Sequence, residues 1–297
     1  MIYHHPSELD HTQSYVATIG TFDGVHLGHQ RIMQTLQSSA RKHRLTALII
    51  TFDNNPKAFV EVSLIPDVLN TEDKLQLLKQ YGTVLTIPFD DTIRHMSQSE
   101  FIDYLGIDIK ELIIGYDFRF GYKQSQQVAD VVTTQVPPVY LGDKIISSTF
   151  LRNLLRDGDM ETMKAALGRD HYYTGHVIHG LKRGKKLGFP TINMTIENNL
   201  YSLKRGVYIT LTTIDGIDYQ SVSNIGFNPT FIDKPFTLET HLLDFDQDIY
   251  GKQVKISFLH FLRDEMIFPH LQGLRDQIEQ DITNTRKFFS IKEDNNG

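Results

Sequence analysis

Between residues 14 and 115 the hydrophobic pattern switches repeatedly between two periods. "SYVATIG", "LTALIITF", "TVLTIPF" and "ELIIGYDF" are short apolar runs rich in β-branched residues. Between them lie longer stretches with apolar positions at helical spacing, such as Ile32 with Leu36 and Leu75 with Leu78. Short continuous runs predict strands buried on both faces, and the 3.6-residue period predicts helices. Their alternation predicts an α/β fold with a parallel sheet covered on both sides. Ligands in such folds sit at the carboxyl ends of strands, which places "TIGTFDGVHLGHQ" at the end of the first strand.

The second half has a different period. Val254, Ile256 and Phe258 alternate with polar residues, and so do Val207, Ile209 and Leu211. Turn signals such as "IDGID" separate these runs, the pattern of an antiparallel sheet or small barrel. Leu271, Leu274, Ile278 and Ile282 then form one stripe of a C-terminal helix. The change of pattern falls near "LGRDHYYTGH", after a short helix ending about Leu167. It predicts two domains, 1–168 and 169–297.

A chain of 297 residues is long enough for that division. The net charge of -6 disfavours a broad electrostatic grip on nucleic acid. The absence of cysteine excludes disulfides, thiolate zinc sites and a cysteine nucleophile. The start "MIYHHPSELDHTQ" lacks the basic and apolar segments of a secretory signal. "LTALIIT" is too short to span a bilayer. The expectation is a cytoplasmic protein with no membrane or nucleic-acid partner, compatible with a homo-oligomer.

Two segments of the first half bear on chemistry. Gly20 and Gly24 permit a tight turn after the strand "YVATIG", and a helix can start near Leu27 or Gly28. Its free N–H groups and dipole favour an anion. His26 and His29, three apart in the first turn, suit a triphosphate whose α-phosphate gathers charge during transfer. Asp23 is awkward beside bare phosphates but fits next to a metal or a sugar hydroxyl. Taken alone, the histidines read equally well as capping or surface residues. A zinc site lacks a third ligand at matching spacing, and "GTFDGVHLG" lacks the dinucleotide G-x-G-x-x-G spacing. In "IISSTFLRNLL", Ser148 or Thr149 is placed to cap a helix, with Arg152 one turn in as a permanent cation for phosphate.

The second half holds another pair. "GHVIHGLKRGKKLGFPTIN" is glycine-rich and basic but does not match a Walker P-loop, because only three residues separate Gly180 from Gly184. Backbone N–H groups and lysines of such a loop can still cradle phosphates. Thr191 and Asn193, two apart after Pro190, fall on one face of an extended chain and offer hard oxygens suited to Mg²⁺ held by ATP. In "TLETHLLDF", Glu239 and His241 lie opposite Leu238, Thr240 and Leu242. A glutamate facing the loop can take a proton from an attacking hydroxyl.

"TFDGVHLGH", "GYDFRFG" and "ISSTFLR", in that order, resemble the N-terminal half of bacterial bifunctional riboflavin kinase/FAD synthetases, members of the H-x-G-H nucleotidyltransferase superfamily. "GFPTIN", "SNIGFNPTF", "ETHLLDF", "IYGKQV" and "FLRDEMIF" resemble their kinase module. The resemblance covers about residues 14 to 289. It implies a Rossmann-like nucleotidyltransferase domain followed by an antiparallel barrel with a C-terminal helix. It implies that riboflavin and ATP give FMN in the second half, and that FMN and ATP give FAD and pyrophosphate in the first.

The resemblance further implies that His26 and His29 contact ATP phosphates, within a loop containing Gly20, Phe22, Asp23, Gly24 and Gly28. Asp117 is implied at the nucleotide and flavin site, and Ser148, Thr149 and Arg152 in a mobile phosphate loop. In the kinase half it implies Gly180, Gly184, Lys186, Gly188 and Pro190 around the nucleotide, Thr191 and Asn193 as Mg²⁺–ATP ligands, and Glu239 as base. Arg263 is implied in a flavin flap. The chain departs from the family pattern at Asn54 and Asn55, where Pro-His is usual, and in a shortened stretch before "ISST". Those departures motivate a kinase-only alternative with a degenerate first domain. A flavin- or nucleotide-binding regulator without turnover is the alternative of another class.

Overall fold

In a computed structural model of the chain, residues 1–54, 66–118, 131–179, 188–195, 203–227 and 236–296 are described. Six strands form one sheet: β1 (Ile2–Tyr3), β2 (Ser14–Ile19), β3 (Thr46–Phe52), β4 (Thr83–Ile87), β5 (Asp108–Gly115) and β6 (Val132–Val136). Their order is β1-β4-β3-β2-β5-β6, and every pairing is parallel. The helices described are α1 (Leu27–His43), α2 (Thr71–Lys79), α3 (Asp91–His95), α4 (Gln98–Leu105), α5 (Ser148–Asp157), α6 (Met160–Leu167) and α7 (Leu271–Asn296). Contacts divide the chain into two compact units, Met1–Leu151 and Arg152–Gly297.

The predicted strands of the first unit are apolar throughout because the sheet is buried on both faces. Tyr15, Ala17 and Ile19 of β2 join Leu48, Ile50, Leu112 and Ile114 in one cluster, capped by Phe101 and Leu105 of α4. Val16, Ile49, Val84 and Ile113 face the other way, onto Met33, Leu36 and Ala40 of α1 and Leu75 and Leu78 of α2. Connections leave β2 toward β3 and β5 toward β6, in opposite directions. The crevice this opens at the carboxyl ends of β2 and β5 is the usual ligand position in such sheets.

A short antiparallel pair, β7 (Tyr140–Leu141) and β8 (Lys144–Ile145), follows β6. The second unit has strands β9 (His171–Ile178), β10 (Ile192–Thr195), β11 (Gly206–Ile214), β12 (Ile217–Phe227), β13 (Phe236–Leu242) and β14 (Gln253–Arg263). They close an antiparallel barrel in the order β10-β13-β12-β11-β14-β9. The predicted "IDGID" turn joins β11 to β12, with Asp215 at φ 51° and Gly216 at φ 82°. Positive φ at both central residues matches the twist of a tight hairpin. The C-terminal helix forms as expected, with Leu274, Ile278 and Ile282 half-buried. Leu271, the first residue of the helix, is instead 72% exposed, and Asp281 and Thr285 take the most buried positions.

The barrel interior corrects the simple reading of β11. Val207 and Ile209 are buried, but so are Tyr208, Thr210 and Thr212 on the opposite face. Thr210 Oγ1 bonds Ser221 Oγ and Ser223 Oγ at 2.8 Å, Thr212 Oγ1 bonds Ser221 Oγ at 2.8 Å, and Ser223 Oγ bonds Thr240 Oγ1 at 2.7 Å. Each hydroxyl is satisfied, which offsets the cost of burying it.

His171 has no such partners. Its ring is 1% exposed, and neither ring nitrogen has a hydrogen-bond partner among the described residues. Tyr173 meets it edge-on at 4.8 Å. Burial pushes its pKa down from 6.5 to about 3, with Arg169 adding to the shift. The unfolded chain therefore holds the extra proton in the window between those values. Stability falls as pH falls through it, by up to about 1.4 kcal/mol per pH unit. His171→Phe should flatten the acid side of a profile of Tm against pH. An unchanged slope would clear His171 as its cause.

Candidate active sites

The first site is built by the turn between β2 and α1. Phe22, Gly24 and Val25 all have positive φ, at 49°, 78° and 41°. Two non-glycine residues in that region cost about 1–3 kcal/mol each. Phe22 and Val25 are buried in the α1-side cluster, and burial of such side chains returns about 1.5–3 kcal/mol each. The core thus holds the turn in a shape it would not adopt alone. Asp23, 5% exposed, accepts the Val68 N–H at 2.8 Å through Oδ1. Ser148 Oγ donates to the Asp23 carbonyl at 3.1 Å. Side chain and backbone of one residue are tied to two distant segments.

His26 is the N-cap of α1, and its Nδ1 accepts the His29 N–H at 3.2 Å. A neutral ring that accepts at Nδ1 carries its proton on Nε2, leaving that N–H as a donor. The two imidazoles stack, with centroids 3.6 Å apart and planes 18° from parallel. Gly28 makes the stack possible: a Cβ there would lie 3.0 Å from the His26 ring. The glycine of H-x-G-H therefore leaves room for the first histidine to fold back over the helix start. Phe22 meets His29 edge-on at 5.4 Å. Burial, then the neighbouring His26, holds His29 well below the usual histidine range. His29 Nδ1 is buried and has no hydrogen-bond partner among the described residues.

Of the other expected positions, Ser148 meets this turn, in a changed role. Asp117 follows β5 and is exposed, with Oδ1 3.5 Å from where a Cβ of Gly115 would stand. Neither Ser148 nor Thr149 caps α5. Ser147 does, accepting the Phe150 N–H at 3.2 Å, because the helix starts at Ser148, one residue earlier than a cap at 148 requires. Ser148 is left to bind the Asp23 carbonyl, Thr149 is exposed, and Arg152 is half-buried one turn on.

In the second unit, Asn193 of β10 pairs in register with Glu239 of β13, which pairs on its other side with Asn224 of β12. Directly paired residues share a face, with Cβ atoms about 4.5–5.5 Å apart. Glu239 therefore stands between two amides, on the face opposite buried Leu238 and Thr240. His241 Nδ1 lies 2.8 Å from the Pro190 carbonyl, which holds the segment carrying Thr191 against β13. Thr191 is half-buried and Asn193 is 8% exposed.

Asn224 and Glu265 were not among the residues picked from the sequence. A Cβ on Gly226 would stand 2.5 Å from Glu265 Oε1 and 3.1 Å from Asn224 Nδ2, so the glycine admits a second carboxylate beside the row. Both residues sit in motifs visible in the chain, "SNIG" and "FLRDE"; only strand register brings them together. Arg263 is occupied: its guanidinium holds buried Asp281 of α7, with Nη2–Oδ2 at 2.7 Å and Nε–Oδ1 at 3.0 Å. Gly188 and Pro190 are described, whereas Gly180, Gly184 and Lys186 lie outside the described residues.

A turn that offers imidazoles to an anion and a barrel face that offers a carboxylate between amides are two different chemistries in one chain. The comparisons match each half separately. The family model described as FAD synthetase matches residues 8–150, and that described as riboflavin kinase matches residues 167–289. The bifunctional riboflavin kinase/FMN adenylyltransferase of Bacillus subtilis is 33% identical, over 97% of this chain and 96% of its own. That of Listeria monocytogenes is 31% identical over 98% of both. The chain belongs to the bifunctional riboflavin kinase/FMN adenylyltransferase family.

The fold is similar to that of a solved structure. A crystal structure described as a macrolide-efflux protein from Streptococcus pneumoniae superposes with a TM-score of 0.86, at 28% identity, over 96% of this chain and 98% of that one. Among the described residues of this family member, no helix is long and apolar enough to cross a membrane.

Proposed function

We propose that this chain makes FAD from riboflavin in two ATP-dependent steps, as a cytoplasmic enzyme acting on small molecules. The kinase step belongs to residues 169–297 and the adenylyl transfer to residues 1–168. The observation that carries the reading is that a carboxylate set between two amides and a stacked histidine pair at a helix start coexist in one chain. A primary hydroxyl must lose a proton to attack the γ-phosphorus of ATP, and Glu239, between the two amides, is the carboxylate assigned to take it. The new O–P bond gives FMN, the bond to the β-phosphate oxygen breaks, and ADP leaves. Asn193 and Asn224 flank Glu239 in the strand register.

FMN needs no base, because its phosphate oxygen is already anionic. It attacks the α-phosphorus of ATP and pyrophosphate leaves. What the site must supply is charge stabilisation, from the His26 Nε2–H, the neutral His29 imidazole and the free N–H groups at the start of α1.

Thr191 and Asn193 fit a Mg²⁺ carried in on ATP, since both donors are hard oxygens and Asn193 is nearly buried. Bound there, the ion would screen phosphate charge. Among the described residues no cluster of three or more His, Asp or Glu side chains is placed to hold a metal alone.

The test is to incubate purified protein with riboflavin, ATP and Mg²⁺ and resolve the flavins over time. FMN should appear first and FAD after it. Accumulated FMN without FAD would eliminate the second step; bound riboflavin without product would eliminate the first, and supplied FMN with ATP that gives no FAD would then eliminate the second.

A further inference from the structure

A polar cleft at the carboxyl ends of β2 and β3 is lined by Thr21, Asp23, Asp53, Asp67, Thr71 and Lys74, among others. Lys74 is 8% exposed, and its Nζ donates to the Phe52 carbonyl at 2.6 Å. It sits one turn into α2, whose N-cap is Asn70. That end of a helix disfavours a cation, and burial disfavours it further; both point to something nearby that compensates. The compensation is the carboxylates of Asp23, Asp67 and Asp53, which act on the ammonium and oppose the lowering of its pKa by burial. Asp23 is the residue whose carboxylate and carbonyl anchor the strained turn to Val68 and Ser148.

We infer that Lys74 is a positioning residue for adenylyl transfer: its ammonium neutralises the carboxylates of this cleft and so holds the Asp23 turn that carries His26 and His29. The inference rests on the two-step function proposed above. Without the cation, three carboxylates share one cleft. Asp23 is then driven from the Val68 N–H, and a turn with two unfavourable non-glycine φ angles loses its anchor. Displacement of catalytic groups by a change remote from the chemistry costs up to about 10²-fold in rate.

The test uses the full-length protein, with riboflavin phosphorylation as an internal control, and three variants. Lys74→Met keeps the aliphatic stem and removes the charge. It should lower adenylylation of supplied FMN by about ten- to a hundredfold and leave the kinase rate unchanged. Adding Asp53→Asn and Asp67→Asn to Lys74→Met removes the surplus negative charge and should restore most of the lost activity, which a purely packing role would not permit. Lys74→Arg should retain adenylylation and move its alkaline limb to higher pH, because a guanidinium stays charged. Adenylylation by Lys74→Met within twofold of the unmodified protein would overturn the inference, as would a triple variant no better than Lys74→Met. An unmodified protein that makes FMN but no FAD would instead sink the adenylyltransferase reading itself.

Discussion

Glu239→Gln is expected to lower kcat for riboflavin phosphorylation by about 10²–10⁴-fold, the range for loss of a positioned general base, and to leave adenylylation of supplied FMN unchanged. Gln keeps the shape of the side chain and its place between Asn193 and Asn224 in the register. It removes only the capacity to accept the hydroxyl proton. The barrel should tolerate the change, because Glu239 is half-buried on the face away from the hydroxyl network. Unchanged thermal unfolding together with lost kinase activity is therefore the expected pair of results. Kinase activity within twofold of the unmodified protein would remove Glu239 as base. A parallel loss of both activities in a folded protein would show that the two sites do not work independently. Asn224→Ala offers a smaller companion effect, since it leaves the base intact and loosens one side of it.

How far the sequence goes differs between these two sites. The first-half strands were legible because burial on both faces leaves long apolar runs, and the H-x-G-H turn was legible from its glycines as a helix start that favours an anion. Its working geometry was not. That His26 is the cap, that its ring folds over Gly28 onto His29, and that Ser147 rather than Ser148 caps α5 are single-residue offsets that only backbone angles settle. In the barrel, alternation located β11 and β14. It could not show that Thr210, Thr212, Ser221, Ser223 and Thr240 turn inward, because each is an unremarkable strand residue until the others meet it. The same holds for Asn224 and Lys74. One acquires a role through register with Glu239, the other through three carboxylates more than five residues away in sequence. β1 was missed for a plainer reason: two residues, Ile2 and Tyr3, carry no period, and only pairing with Val84 and Leu85 makes them a strand.

His29→Ala should lower adenylylation of supplied FMN by about 10²–10³-fold, the cost of removing one donor that meets charge developing in the transition state, with riboflavin phosphorylation intact. The cap on α1 survives this change, because it runs from the His29 backbone N–H to His26 Nδ1. His26→Ala removes donor and cap together and should also destabilise the first unit by about 0.5–2 kcal/mol. Comparing the two separates chemistry from helix anchoring. The pH dependence gives a second readout. Burial and the stacked His26 hold His29 neutral well below 6.5, so its stabilising contribution is fully present above that value and is lost as pH falls toward the folded pKa. Adenylylation should accordingly show no acid limb near 6.5 arising from His29, and titration of its ring by NMR should find it neutral there. A ring that protonates at an ordinary pKa, or a His29→Ala protein that still makes FAD at the unmodified rate, would mean that the stacked pair is a helix cap and nothing more.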